Sequence, residues 1–279
     1  MIETIIKQAL LEDIGDGDHS SLACIPESAT GVAKLLVKDN GVLAGVELAE
    51  MICKQVDPEL QLEKLLVDGD RVKPGDIAFY LRGKARSILA AERVLLNFMQ
   101  RMSGIATHTA ELVQLLDGTK TRLLDTRKTT PCIRYMEKWA VRIGGGYNHR
   151  FALYDMIMLK DNHIDFAGGI PQAIERTQAY LNETQKVLKV EIEVRNLDEL
   201  EQVLAIGKVD RIMLDNFTTD QLSLAVARIN GAFETEASGG ITRDTLREYA
   251  NTGVDFISVG ALTHSYKSLD LSLKATFTK

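Results

Sequence analysis

The stretch RIMLDNFTTDQLSLAVARINGAFETEAS (211–238) decides the fold class. RIMLD and ETEAS are runs of strand length, and between them Leu222, Ala225, Val226 and Ile229 recur at helical spacing. Thr218 followed by Gln221 has the form of a capping box, which satisfies two orphan N–H groups at a helix start. Gly231 stands where a helix end favours a residue free to turn left-handed. Strand, helix and strand in so short a span form a crossover unit, and such units join parallel strands with right-handed connections.

The same unit repeats outward in both directions. Strand candidates recur at TRLLD (121–125), MIMLK (156–160), VEIEV (190–194) and FISVG (256–260). Amphipathic helices are predicted between them, one marked by Ile133, Met136 and Ala140, another by Ile170, Ala173, Ile174 and Leu181. Arg134, Lys138 and Arg142 are assigned to the outer face of the first, and Gly253 closes a later one. Six alternations without a GxGxxG turn favour a barrel over a dinucleotide-binding sheet. The chain before about residue 107 has a different style. Helices are predicted near 2–13, 46–56 and 86–102, and strands near 29–38, 61–67 and 77–82, with turn chemistry in DGD (68–70) and KPGD (73–76). The reading is therefore an α/β protein. An N-terminal α+β domain spans 1–107, and an incomplete α/β barrel of six or seven strands spans 108–265.

Composition sets the outer limits. The chain has 279 residues, 45% of them hydrophobic, and a net charge of −6, which suits one large or two modest domains and argues against non-specific nucleic-acid binding. No apolar run reaches 18 residues, so no membrane span is expected. MIETIIKQALLED reads as an amphipathic helix rather than a secretory leader. Cys24, Cys53 and Cys132 are too few and scattered for a disulfide framework or zinc site, and a cytoplasmic setting is expected.

In α/β barrels the C-terminal rim of the strands holds the site. Here the strand ends read Asp125, Lys160, Glu193, Asp215, Ser238 and Gly260. Glu193 and Asp215 are candidates to hold Mg²⁺ against a substrate's oxygens, and the competing reading is a pair of strand-end acids in salt bridges. SGG (238–240) and VGALTH (259–264) offer backbone N–H groups to a phosphate, or else merely pack closely. Arg127 and Lys128 on one loop, His149 and Arg150 on another, and Lys160 form a cation cluster in an acidic chain, with His163 just beyond. Arginine forks suit carboxylates, so a small polyanionic ligand is implied, with solvated loop charges as the alternative. DIGDGDHSS (13–21) lacks EF-hand spacing and is assigned to a turn.

These segments in this order resemble the quinolinate phosphoribosyltransferase family, also called nicotinate-nucleotide pyrophosphorylase (carboxylating). The resemblance runs through LLEDIGDGD, AERVLLNFMQRMSGIAT, DTRKTTP, VRIGGGYNHRFALYDMIMLKDNHI, VEIEV, IMLDNF, EASGGI and VGALTHS. It implies a sandwich-like N-terminal domain, a barrel, and a tail (266–279) that returns to the first domain. It also implies a homodimer or higher oligomer with shared sites. Quinolinate would then be held by Arg127, Lys128, His149, Arg150 and Lys160, with Arg93 supplied by the neighbouring subunit. Phosphoribosyl pyrophosphate would lie near Lys160, Glu193, Asp215, Ser238, Gly239, Gly240, Gly260 and His264. Mg²⁺ would lie on Glu193 and Asp215, and Lys128, Glu193 and Asp215 would carry the catalysis. Alternatives within the fold are a nicotinate-specific transferase and a molybdenum-associated paralogue. Outside enzymes, the alternative is a phosphosugar or anion sensor. The cation set including Arg93 favours a dicarboxylate, and the two strand-end acids favour an enzyme.

Overall fold

In the computed structural model, which describes residues 1–276, the chain divides into two compact units. In chain order the elements begin α1 (Ile2–Ile14), α2 (His19–Cys24), β1 (Thr30–Val37), β2 (Gly41–Val42), α3 (Val46–Val56), β3 (Gln61–Lys64), β4 (Arg71–Val72), β5 (Ile77–Lys84) and α4 (Ala85–Leu115). They continue with β6 (Arg122–Leu124), α5 (Arg134–Ile143), β7 (Ile157–Leu159), α6 (Asp161–Ala167), α7 (Ile170–Thr184), β8 (Val190–Val194), α8 (Leu197–Ile206) and β9 (Arg211–Asp215). The last are α9 (Thr219–Ile229), β10 (Glu234–Ser238), α10 (Leu246–Asn251), β11 (Phe256–Ser258), α11 (Ala261–His264) and β12 (Leu271–Thr276).

The first unit comprises Met1–Ala110, Thr129–Gly145 and the chain from Ala261 onward. Its sheet has the order β12-β1-β5-β3 and is antiparallel throughout. β12 pairs with β1 from Val32↔Thr276 to Val37↔Leu271, so part of the segment read as a returning tail is a strand of this sheet. Residues 277–279 of that segment lie outside the described residues. The DIGDGDHSS segment is a turn that ends in a helix cap, with the Asp18 carboxylate accepting the Ser21 N–H.

Two expectations need correction in this unit. The helix read over 86–102 continues to Leu115. Ser103 and Gly104 do not break it. The Thr107 and Thr109 hydroxyls donate to the carbonyls of Ser103 and Ile105. Gly104 is there because a β-carbon would meet the Lys267 carbonyl at 2.3 Å. The second correction concerns α5, which groups with this unit and not with the barrel strands it connects. Lys138, assigned above to an outer face, is buried, as are Met136, Glu137, Ala140 and Val141. The reason is a polar anchor: buried Glu137 accepts from the Arg101 Nε of α4 at 2.9 Å and from the Thr130 N–H at 3.0 Å.

The second unit, Glu111–Lys128 and Gly146–Gly260, holds one parallel sheet in the order β6-β11-β10-β9-β8-β7. Chain order is kept from β7 to β11, and the first strand, β6, pairs with the last. That is a barrel opened at one seam, between β6 and β7. Beside the seam Tyr147 makes a single parallel bridge to Leu124. The helix starts follow the sequence signals, with the Thr218/Gln221 capping box formed and Asn196 capping α8. Among the described residues no helix is long and apolar enough to cross a membrane.

Replacing Gly104 with alanine should lower stability by about 1–3 kcal/mol, because the Lys267–Ser268 backbone must shift to admit the methyl. Urea unfolding monitored by circular dichroism reads this directly.

Candidate active site

The site begins with one buried acid. Asp125 follows β6, and its carboxylate accepts the Asn148 side-chain amide at 2.6 Å and the His149 N–H at 2.8 Å. The backbone bond Tyr147 N–H to Leu123 C=O, at 2.8 Å, runs alongside. The loop that carries His149 and Arg150 is therefore tied to the end of β6. Asp155 folds the following turn by accepting the Phe151 and Ala152 N–H groups at 2.6 and 2.7 Å.

Arg127 and Lys128 leave the same strand end on an exposed loop, with the Lys128 N–H on Thr126 Oγ1 at 3.0 Å. Arg150 is half-buried, and its guanidinium donates to the Met156 carbonyl at 3.2 Å. Burial first, and then the charge of Arg127, lowers the Arg150 guanidinium from its ordinary value. Two like charges held this close favour an anion between or beside them. Lys160 caps the N-terminus of α6, where His163 Nδ1 accepts its N–H at 3.0 Å, so His163 shapes the cap. The Lys160 ammonium lies 3.4 Å from Glu193.

The acidic side lies on β8 and β9. Burial raises the Glu193 carboxyl, Lys160 offsets part of that, and the charge of Asp215 raises it further, so the two acids act on each other. Asp215 is held by Ser238 Oγ at 2.5 Å and by the Asn216 amide at 2.6 Å. Gly239, at φ +93°, admits Asn216 so closely that a β-carbon would meet the Asn216 Oδ1 at 2.2 Å. Gly239 thus has a packing duty. Gly260 follows β11, where the Val259 N–H bonds the Leu124 carbonyl at 3.0 Å. Arg127, Lys128, Arg150, Lys160, Glu193, Asp215, Ser238, Gly239, Gly240 and Gly260 all belong to this unit. Arg93 on α4 and His264 on α11 are exposed side chains of the first unit.

His149 does not point with the other cations. Its side chain is 5% exposed and turned into the barrel, with Nε2 2.9 Å from Glu191 and 3.5 Å from Glu236. Arg211 meets Glu236 at 2.9 Å. Sequence reading missed Glu191, Glu236 and Arg211. The signal was period-two alternation: V-E-I-E-V puts Glu191 on the same face as Glu193, and E-T-E-A-S does the same for Glu236 and Ser238. Burial pushes Glu191 up to about 6, against the pull of Arg211 and a hydrogen bond to Glu236; burial and then the charge of Glu191 push Glu236 up to about 8, so near neutral pH the pair shares one proton.

The fold and site define an α/β-barrel protein whose strand ends oppose a cation cluster to two acids, an arrangement suited to a polyanionic substrate pair. Family models for the quinolinate phosphoribosyl transferase N-terminal and C-terminal domains match residues 18–103 and 105–274. The chain belongs to the quinolinate phosphoribosyltransferase family. It is 47% identical to the chloroplastic nicotinate-nucleotide pyrophosphorylase [carboxylating] of Oryza sativa subsp. japonica, over 98% of this chain and 77% of that protein. It is 40% identical to the probable nicotinate-nucleotide pyrophosphorylase [carboxylating] of Bacillus subtilis, over 99% and 94%. The crystal structure of NadC from Streptococcus pyogenes superposes with a TM-score of 0.94 at 42% identity, over 100% of this chain and 97% of that one.

A carboxyl whose folded pKa is raised contributes stability that is complete below its unfolded value of about 4.5 and lost as pH rises through about 8. The melting temperature should therefore fall across that window in the native protein. It should fall less in Glu236→Gln, which mimics the protonated acid at every pH; equal slopes in a pH series of thermal melts would contradict the shared proton.

Proposed function

We propose that the protein is a decarboxylating quinolinate phosphoribosyltransferase. It joins quinolinate to phosphoribosyl pyrophosphate and releases pyrophosphate and CO2 to give nicotinate mononucleotide. The observation that carries this reading is that Arg127 acts on Arg150 in the same barrel unit in which Lys160 meets Glu193 and Asp215 acts on that acid. One side of such a site takes a small dicarboxylate, and the other takes a phosphorylated sugar.

Arg127, Arg150, Lys128 and Lys160 hold the two neighbouring carboxylates and set the pyridine nitrogen against the ribose anomeric carbon. Holding both reactants in attack geometry supplies much of the rate. The new C–N bond forms as the C–O bond to pyrophosphate breaks, and the ring becomes cationic. The carboxylate beside the nitrogen then leaves as CO2. The electron pair of the broken C–C bond stays on the ring carbon, stabilised by the adjacent cationic nitrogen, and takes up a proton. Lys128 steadies the charge of the departing group. The other carboxylate remains on its arginine. The backbone N–H groups of the Ser238–Gly240 segment suit the 5′-phosphate.

Glu193 and Asp215 would hold Mg²⁺. Two mutually repelling carboxylates at adjacent strand ends form an oxygen donor set of the kind that ion uses together with substrate phosphates. When bound, it neutralises charge on the leaving pyrophosphate. Arg93, exposed on α4, is assigned to the quinolinate pocket of a second copy, which makes the working unit a homodimer. The free Cys24, Cys53 and Cys132 suit a reducing, cytoplasmic setting.

Incubation with quinolinate, phosphoribosyl pyrophosphate and Mg²⁺ should release nicotinate mononucleotide and CO2 in equal amounts. Turnover of nicotinate alone, or product without CO2, would reject the assignment. Lys128→Ala should lower kcat by about 100-fold or more while the donor KM changes little. Mixing Arg93→Ala with Lys128→Ala should restore about a quarter of native activity, because half of the dimers regain one intact site. An inactive mixture in which heterodimers have formed would reject the shared site.

A further inference from the structure

The buried cluster of His149, Glu191, Glu236 and Arg211 sits wholly within the barrel unit, and the charge of its Glu191 also reaches Arg150 and Lys160. One ring nitrogen of His149 is hydrogen-bonded and the other stands at ion-pair distance from a buried acid. Nδ1 accepts the Arg150 N–H at 2.7 Å, which leaves the ring proton on Nε2, facing Glu191 at 2.9 Å. The ring's one N–H therefore faces two buried acids. Its side chain is also 95% withdrawn from solvent, whereas Arg127, Lys128 and Lys160 are exposed.

We propose that His149 is a positioning residue: Glu191 orients the imidazole, and the imidazole fixes the backbone from which Arg150 reaches the dicarboxylate. This rests on the quinolinate reading above and deepens it. The geometry forms a chain. Arg211 Nη1 holds Glu236 Oε2 at 2.9 Å, and that same oxygen lies 3.5 Å from His149 Nε2. Glu191 and Glu236 thus bracket the Nε2–H from β8 and β10, and the ring transmits that constraint to residue 150. The loop is then pinned twice, by Asp125 on the His149 N–H and by the His149 ring on the Arg150 N–H. Arg150 itself gains a third support from the Met156 carbonyl. A guanidinium fork binds a carboxylate well only in a narrow range of orientations, so its backbone must not drift.

The same three side chains could be read as a metal site, since their ligand atoms lie within 4.8 Å of one another. Arg211 argues against that. Its cation already occupies the Glu236 oxygen that faces His149, where a second positive charge would be repelled.

The test compares quinolinate binding by calorimetry with steady-state constants for both substrates. Glu191→Leu removes the acceptor for Nε2–H and should weaken quinolinate by about 10-fold or more, with the donor KM within about twofold. Glu191→Gln keeps a carbonyl oxygen for that proton and should stay within about threefold of native. Native affinity in Glu191→Leu, or equal losses for both substrates, would overturn the proposal. If Glu191→Leu does not fold, His149 carries the test. His149→Asn keeps an acceptor near Nδ1 for the Arg150 N–H and should bind quinolinate more tightly than His149→Leu, whereas equal losses would count against positioning. A stoichiometric divalent ion in the purified native protein, removed by Glu236→Gln, would replace this reading with the metal site. Native protein that binds no quinolinate at all would sink the substrate reading, and this inference with it.

Discussion

Parallel pairing of β6 with β11 is the constraint on which the barrel depends. It brings the first strand of the unit beside its last, so strands from Arg122 to Ser258 end on one rim. In a parallel closed sheet alternate residues of each strand point inward, and their C-terminal ends converge. That geometry gathers Arg127, Lys160, Glu193, Asp215 and Ser238 from segments up to 111 residues apart in sequence. The seam between β6 and β7 is the place where the chain leaves to build α5 into the other unit. Asp125 compensates locally by tying the returning loop to the β6 end.

Below the rim, the interior is polar where most small barrels are aliphatic. Glu191 and Glu236 are fully buried between Arg211 and His149. Burial of such groups costs free energy unless charge and hydrogen bonds are matched, so the cluster is held together by mutual need. Replacing the whole set by well-packed leucines would be compatible with stability, but it would leave the Arg150 backbone without the imidazole that accepts its N–H. A specified orientation is what this polar interior contributes.

Much of this was legible beforehand. The six strands of the barrel fall where apolar runs ended in polar or glycine residues, and the Thr218 cap forms as its spacing predicts. Those features are local: alternation, helical spacing and capping act within a few residues. Errors came where tertiary contact overrides local preference. Gly104 and the Ser/Thr cluster around it look like a helix end, yet close approach of the Lys267 backbone requires a small residue inside a helix of 31 residues. Lys138 looks solvent-facing by spacing, yet α5 is buried on that side as well. His149 looks like a ligand by company, since it is flanked by Asn148 and Arg150, and only the fold shows that its ring turns inward.

The sequence by itself determined the class of fold, the order of the strands and the side-chain types at the rim. Each follows from short-range periodicity and from the chemistry of single residues. Only the tertiary structure decided that β6 closes on β11, that α5 joins the other unit, and that His149 faces two buried acids while Arg150 beside it crowds Arg127. Those outcomes depend on which residues meet across more than twenty positions of chain. Burial and charge pairing act on spatial neighbours, which linear order does not specify.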